Sequence, residues 1–285
     1  MKKIPFTKLA GAGNDYLFLD GIGEINVEIA TEIPTLVKKM CDPHRGVGGD
    51  GVILLYRDSD GLGMRIWNRD GSEATMCGNG IRCLARLAYE RGYATSTLSI
   101  KTGAGMREVA LLGVGESMRA RVRMGKASFE REDVPYLGEK MPFCLPWEGQ
   151  TLAFYPVSVG NPHAVTFVDN VDDFEEKYGS SLTKNPDFPE GVNIGVAKIE
   201  KKTTVSLRVF ERGSGETLAC GTGATAMVAV GCHLGYLPKG VGILCRMKGG
   251  SLWVTQEIDG TLYLEGDARY VAKGVWYEAE VESAF

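Results

Sequence analysis

The segment MRIWNRDGSEATMCGNGIRCLARLAYERG, residues 64–92, falls without a gap on LRVFERGSGETLACGTGATAMVAVGCHLG, residues 207–235, when the chain is offset by the 143 positions that carry Cys77 onto Cys220. The same offset lays Arg65 on Arg208, Arg69 on Arg212 and Glu73 on Glu216. Other pieces recur in the same order with small gaps. AGNDYLFLD near the start is echoed by GNPHAVTFVD at 160–169, and GVGGDGVILL at 46–55 by GVNIGVAKI at 191–199. A period this long, present only twice, does not describe a solenoid. It describes a duplicated domain, and 285 residues give each copy the usual size of one. We place the first half at 1–125 with 271–285, carrying Cys77, and the second at 126–270, carrying Cys220.

Within each half a short apolar run, MRIW or LRVF, reads as a strand, followed by a polar loop and the cysteine. Beyond the cysteine the pattern turns helical, with Ile81, Leu84, Ala85 and Ala88 at i, i+3, i+4 and i+7. The second helix, from Ala224 through Leu234, is apolar nearly all round and should be buried on several sides. YLFLD, GVILLY, HAVTFVD, SLWVTQEI and TLYLEG are strand-like runs punctuated by glycine. The predicted class is α+β: two pseudo-symmetric domains, each of antiparallel strands wrapped around a central helix, with the active site in the cleft between them.

A net charge of −4 gives no broad basic footprint, which argues against nucleic acid as the main partner. No apolar run reaches the length of a bilayer span, and MKKIPFTKLAGAGNDY lacks the apolar core of a signal peptide, so we expect a cytoplasmic protein that binds no membrane. Seven cysteines, an odd number, argue against a disulfide framework. With no C-x-x-C and only His44, His163 and His233, widely spaced, no metal site is expected. GAG at 11–13 is too short for a nucleotide signature. Most of the thiols read as small buried hydrophobes, Cys83 and Cys232 among them because they lie inside the helices and do not align under the offset.

Cys77 and Cys220 are set apart by the joint recurrence of cysteine, glycines, upstream arginine and glutamate. Both stand where a loop hands over to a helix, whose first amides have no internal partner and carry partial positive charge. That placement is expected to lower a thiol's pKa. With no side chain at Gly78 and Gly221, an anion such as a carboxylate can approach the helix-start amides. Two such stations facing one amino-acid carboxylate would put a thiol on each side of its Cα. One thiolate would remove the proton from one face, and the other thiol would return one to the opposite face.

NRDGSEATMCGNGIR and ERGSGETLACGTGA, together with GAGNDY and GNPHAV, resemble the signature segments of the diaminopimelate epimerases, and the resemblance runs over essentially the whole chain in the family's order. It implies an isomerase that interconverts LL- and meso-2,6-diaminopimelate on the route to lysine and peptidoglycan, with no cofactor and no metal, as a homodimer. Cys77 and Cys220 would be the catalytic pair. Gly78, Asn79, Gly221 and Thr222 would hold the reacting carboxylate. Asn14, Asn68, Asn161, Asn193 and Arg212 would grip the substrate, mostly at its distal end, and His163 and Glu211 would tune the thiols. Glu211 and Arg212, standing where the first copy has Asn68 and Arg69, make the two halves unlike in charge, which a long substrate needs for orientation. One departure is Gly51, where some relatives carry a polar side chain near the substrate. The competing readings are a proline or hydroxyproline racemase, which typically has His where Asn79 stands, and a phenazine-biosynthesis-type isomerase, which lacks the cysteine pair. A thiol redox or binding protein is the alternative from another class, and oxidation is expected to join Cys77 to Cys220 on either reading.

Overall fold

The structure is a computed structural model that describes residues 2–24, 33–113 and 115–278. The chain divides into two compact units, Met1–Val122 with Gly266–Phe285, and Arg123–Glu265.

In the first unit β1 (Lys2–Gly11) turns onto β2 (Asn14–Asp20) through Ala12 and Gly13, both with positive φ, the backbone that a two-residue hairpin requires. Helix α1 (Ile33–Met40) lies on the connection to β3 (Gly51–Asp58), which runs parallel to β2 with Tyr16 opposite Gly51. β4 (Gly61–Asn68) returns antiparallel, placing Asn68 opposite Gly51. After the short β5 (Glu73–Ala74), helix α2 (Gly78–Glu90) carries the chain to β6 (Thr97–Thr102), parallel to β4. β7 (Gly105–Leu112) and β8 (Arg119–Lys126) follow as a meander.

The second unit repeats the plan. β9 (Phe143–Trp147) and β10 (Gln150–Ser158) lead antiparallel into β11 (Pro162–Phe167). Helix α3 (Glu176–Leu182) lies on the connection to β12 (Asn193–Lys201), parallel to β11 with His163 opposite Asn193. β13 (Thr204–Glu211) returns antiparallel. β14 (Gly215–Thr217) and helix α4 (Gly221–His233) then lead to β15 (Ile243–Met247), parallel to β13. β16 (Gly250–Gln256) and β17 (Thr261–Asp267) close the series, and β18 (Arg269–Glu278) returns to pair with β1 of the first unit.

Most neighbours are antiparallel, as expected, and each unit adds two parallel pairs that the sequence did not indicate. Parallel neighbours require a long crossover, and the helices supply it: α1 and α2 in one unit, α3 and α4 in the other. The principal helices are as apolar as the sequence indicated. Ile81, Leu84, Ala85 and Ala88 are fully buried, as are the residues of α4 from Ala224 through Val230.

The closing glycine of each Cys-Gly-x-Gly motif is explained by packing, not by a ligand. A Cβ on Gly80 would stand 2.5 Å from Ile53 Cδ1, and one on Gly223 2.7 Å from Val209 Cγ2. Only a bare backbone lets the helix start lie this close to its strands. The recurrent arginine and glutamate also have a structural role. Arg65 meets Glu73 through two bonds of 2.8 and 2.9 Å across β4 and β5, and Arg208 meets Glu216 through two of 2.8 Å across β13 and β14. Each pair fastens the loop that delivers the cysteine.

The two braces differ in burial. Arg65 and Glu73 have side chains 41% and 47% exposed, whereas Arg208 and Glu216 are at 9% and 6%. Arg208 also donates to the carbonyls of Val171 and Phe174, and Lys248 reaches Glu216 at 2.8 Å. Removing one partner of a buried pair leaves an uncompensated charge, so Arg208→Ala should lose about 3–5 kcal/mol of stability. Arg65→Ala should lose only about 0.2–1 kcal/mol. Urea unfolding of the two variants checks the contrast.

Candidate active site

Cys77 is the N-cap of α2, with φ −139° and ψ 119°, and its sulfur accepts the Gly80 amide at 3.4 Å. Cys220 is the N-cap of α4, with φ −129° and ψ 113°, and accepts the Gly223 amide at 3.3 Å. A sulfur here does what a serine or aspartate oxygen does at an ordinary helix start. The first internal bonds run from Ile81 to the Cys77 carbonyl and from Ala224 to that of Cys220. Among the described residues this leaves the amides of Gly78 and Asn79, and of Gly221 and Thr222, without a protein acceptor. Each cysteine thus stands beside two free helix-start donors, an arrangement suited to a carboxylate.

On the Cys77 side the structure assembles several of the expected residues. Asn79 Nδ2 donates to Asn14 Oδ1 at 2.6 Å, and Asn14 Nδ2 to Asp50 Oδ2 at 2.9 Å. Arg69 bonds the other Asp50 oxygen and the Gly49 carbonyl. Asn68, exposed at the end of β4, donates to Ser72 Oγ. Asn79 is buried, and its Oδ1 has no partner. Asp50 and Tyr16 were not anticipated. Tyr16 donates its hydroxyl proton to Cys77 Sγ at 3.3 Å, and the buried Arg82 holds the Gly78 carbonyl. Asp50 lies in a glycine-rich stretch whose echo at 191–199 has no acid, so the repeat gave no signal for it.

The departure at position 51 has a steric cause. A Cβ there would sit 2.1 Å from the Trp67 carbonyl oxygen and 3.2 Å from Cε1 of Tyr16. No side chain fits.

Around Cys220 the environment is different. The sulfur lies 3.4 Å from Thr222 Oγ1 and beside the Glu211 carboxylate, which is held by Thr217 Oγ1 at 2.6 Å. Burial, then the Glu211 charge, push the Cys220 thiol up to about 12, against the lowering contacts from Thr222 and the Gly223 amide. The expectation that the helix start lowers a thiol's pKa is overturned at this cysteine, because desolvation outweighs the nearby donors. Arg212 receives its position from Asn193, whose Oδ1 accepts the Arg212 amide at 3.0 Å, while its guanidinium donates to the Glu190 carbonyl.

His163 is fully buried, and its Nε2 meets Asn161 Oδ1 at 3.1 Å. An amide oxygen only accepts, so Nε2 carries the proton and Nδ1 is left as a lone pair, without a partner. Burial first, and then the Arg212 charge, pull His163 down to about 3. The ring is neutral at physiological pH.

Of the remaining thiols, Cys41, Cys83, Cys232 and Cys245 are buried as expected of core residues, whereas Cys144 is exposed on β9. Among the described residues no group of three or more His, Cys, Asp or Glu side chains could hold a metal ion, and no helix is long and apolar enough to cross a membrane. A cavity of about 440 Å³ in the second unit borders Arg212 together with Thr183, Asn185, Glu190 and Gly191. A second of about 460 Å³, lined by Trp147, Asp169 and Lys198 among others, touches none of the candidate residues.

The sequence profile of the diaminopimelate epimerase family matches residues 6–130 and 155–271. A diaminopimelate epimerase of Carboxydothermus hydrogenoformans is 40% identical over 277 residues, covering 95% of this chain and 99% of that protein. One from Methanococcus maripaludis is 38% identical, covering 94% and 98%. Among solved structures, a phenazine biosynthesis protein of the PhzF family from Bacillus anthracis superposes with a TM-score of 0.69 at 18% identity, covering 98% of this chain and 100% of that one. A hydroxyproline epimerase from Agrobacterium vitis gives 0.65 at 15%, covering 96% and 92%. At these identities the two structures speak for the fold alone.

The buried histidine generates a pH dependence with a definite sign. Its folded value, about 3, lies below the ordinary 6.5, so its contribution to stability is complete above pH 6.5 and is lost as the pH falls from there toward 3. Between pH 7.5 and 5 the native protein should lose about 2 kcal/mol more stability than His163→Gln, in which nothing at this position titrates. Urea unfolding at a series of pH values measures the difference.

Proposed function

The chain belongs to the diaminopimelate epimerase family, and we propose on that basis that it interconverts LL- and meso-2,6-diaminopimelate, with Cys77 and Cys220 as the acid–base pair. The observation that carries the reading is the twin helix start: in each unit a cysteine sulfur beside two amides that have no acceptor of their own. Gly78 and Asn79, with Gly221 and Thr222, bind the α-carboxylate of the reacting centre. Their partial positive charge lowers the cost of the negative charge that develops when the Cα proton leaves.

In one direction the Cys77 thiolate takes the Cα proton and becomes a thiol. The electron pair stays on the planar carbanion and spreads into the bound carboxylate. The Cys220 thiol then delivers its proton to the opposite face and becomes a thiolate. One proton is taken and one given, the configuration inverts, and the scheme balances without a cofactor. The reverse direction exchanges the roles.

The supporting residues follow from their chemistry. Glu211 beside Cys220 keeps that thiol protonated until the carbanion arrives. His163, neutral with a free Nδ1, can accept a hydrogen bond in the same unit without bringing a cation into the site. Asn14, Asn68, Asn161, Asn193 and Arg212 grip the substrate, mostly at its distal amino-acid group, Arg212 through the carboxylate of that group. We read the active form as a homodimer in the cytoplasm, which light scattering would test by a mass about twice 30.9 kDa.

The test is proton exchange. Reduced protein incubated with LL-diaminopimelate in deuterated water should place deuterium at Cα and form the meso isomer. Cys77→Ala and Cys220→Ala should each lower that rate about 10²–10⁴-fold. Exchange into L-proline instead would replace the substrate, and exchange into neither would leave the cysteines with a redox or binding role.

A further inference from the structure

We propose that Tyr16 is a positioning residue for the reaction. Its phenolic hydroxyl holds the Cys77 sulfur in the orientation and charge state from which it removes a Cα proton. The inference rests on the reading of Cys77 as an acid–base thiol and adds to it the group that prepares that thiol.

Two donors converge on Cys77 Sγ from different elements: the Tyr16 hydroxyl on β2 at 3.3 Å and the Gly80 amide on α2 at 3.4 Å. A donor bonded to sulfur stabilises the thiolate over the thiol. Two donors also fix the direction in which the remaining lone pair points, which a single cap bond does not. The phenol is itself immobile. Tyr16 is 7% exposed, and its Cε1 stands 3.2 Å from where a Cβ of residue 51 would be. The absence of a side chain at Gly51 gives the ring its seat.

The strand registers place Tyr16 at a station that the second unit also uses. Tyr16 lies opposite Gly51 in the parallel pair β2–β3, and His163 lies opposite Asn193 in the parallel pair β11–β12. Asn68 follows across from Gly51, while Phe210, paired with Ile194, brings Glu211 to the Asn193 end. The duplicated frame thus puts a phenol and an amide on the Cys77 side, and an imidazole and a carboxylate on the Cys220 side. A hydroxyl proton at one sulfur supports a thiolate; a carboxylate at the other supports a thiol. The two-thiol reaction needs one of each.

Tyr16→Phe, made in the full chain, keeps the ring against Gly51 and removes only the donor. Two readouts are taken on the reduced protein at pH 7.5. One is the iodoacetamide labelling rate of each cysteine by peptide mass spectrometry, with exposed Cys144 as the internal reference. The other is kcat and KM for diaminopimelate in both directions. Labelling of Cys77 relative to Cys144 should slow about three- to tenfold, because the thiolate is the nucleophile. kcat should fall by a similar factor in both directions, as an unchanged reaction equilibrium requires, with KM within about twofold. Unchanged labelling of Cys77 overturns the proposal. So does a rise in KM at constant kcat, which would make Tyr16 part of the binding surface, and so does a variant that no longer folds, which would make the hydroxyl a structural bond. Failure of the parent reading has a separate signature: Cys77→Ala would retain Cα deuterium exchange, whatever Tyr16→Phe does to labelling.

Discussion

An α-helix begins with amides that have no partner inside it, and in both units one of them is given to a cysteine sulfur. Much else in each unit serves that contact. The closing glycines, Gly80 and Gly223, remove the Cβ that would hold the helix away from Ile53 and Val209. The Arg65–Glu73 and Arg208–Glu216 pairs fasten the loop before the cysteine. The long crossovers that make β4–β6 and β13–β15 parallel have to pass through a helix, so the sulfur is set where that helix starts. The capping bond ties the sulfur to its helix and the braces tie the loop to its strands, while the two remaining amides stay available to an anion.

Much of this was legible in the sequence because duplication supplies its own control. A lone Cys-Gly would have carried nothing, but two copies with matching apolar runs located β4, α2, β13 and α4 and singled out Cys77 and Cys220. Parallel pairing was not legible, since a strand buried on both faces reads the same whichever way its neighbour runs. The recurrent arginine and glutamate helped to single out the cysteines, but their own role as braces was not legible, because residue identity at a fixed spacing does not say which groups face each other. Asp50 and Tyr16 were missed for the complementary reason. Their importance lies in contacts that only the folded chain brings together, Asp50 with Asn14 and Tyr16 with Cys77, and neither residue recurs in the second copy. The pKa of Cys220 was misjudged in sign, since a sequence shows a helix start but not how deeply the sulfur is buried.

Duplication has kept the frame and changed what it carries. The same station holds a phenol in one unit and an imidazole in the other; the same brace is exposed in one and buried in the other. The two cysteines accordingly have unlike surroundings. Two donors, from β2 and α2, meet the sulfur of the first unit, and a carboxylate from the end of β13 stands beside that of the second.

Gly51 lets that plan be read in terms of what variation it permits. A Cβ at this position meets a main-chain oxygen at 2.1 Å, and no rotamer change relieves a clash with backbone. In this chain a single substitution is therefore shut out of the place in the first unit that corresponds to Asn193 in the second, unless the backbone of Trp67 shifts with it. Residue 193 already carries a side chain, as do Asn68 and Glu211 at the strand ends beyond. The matching stations of the two copies therefore differ in the change they admit: position 51 takes no side chain, and position 193 already carries one.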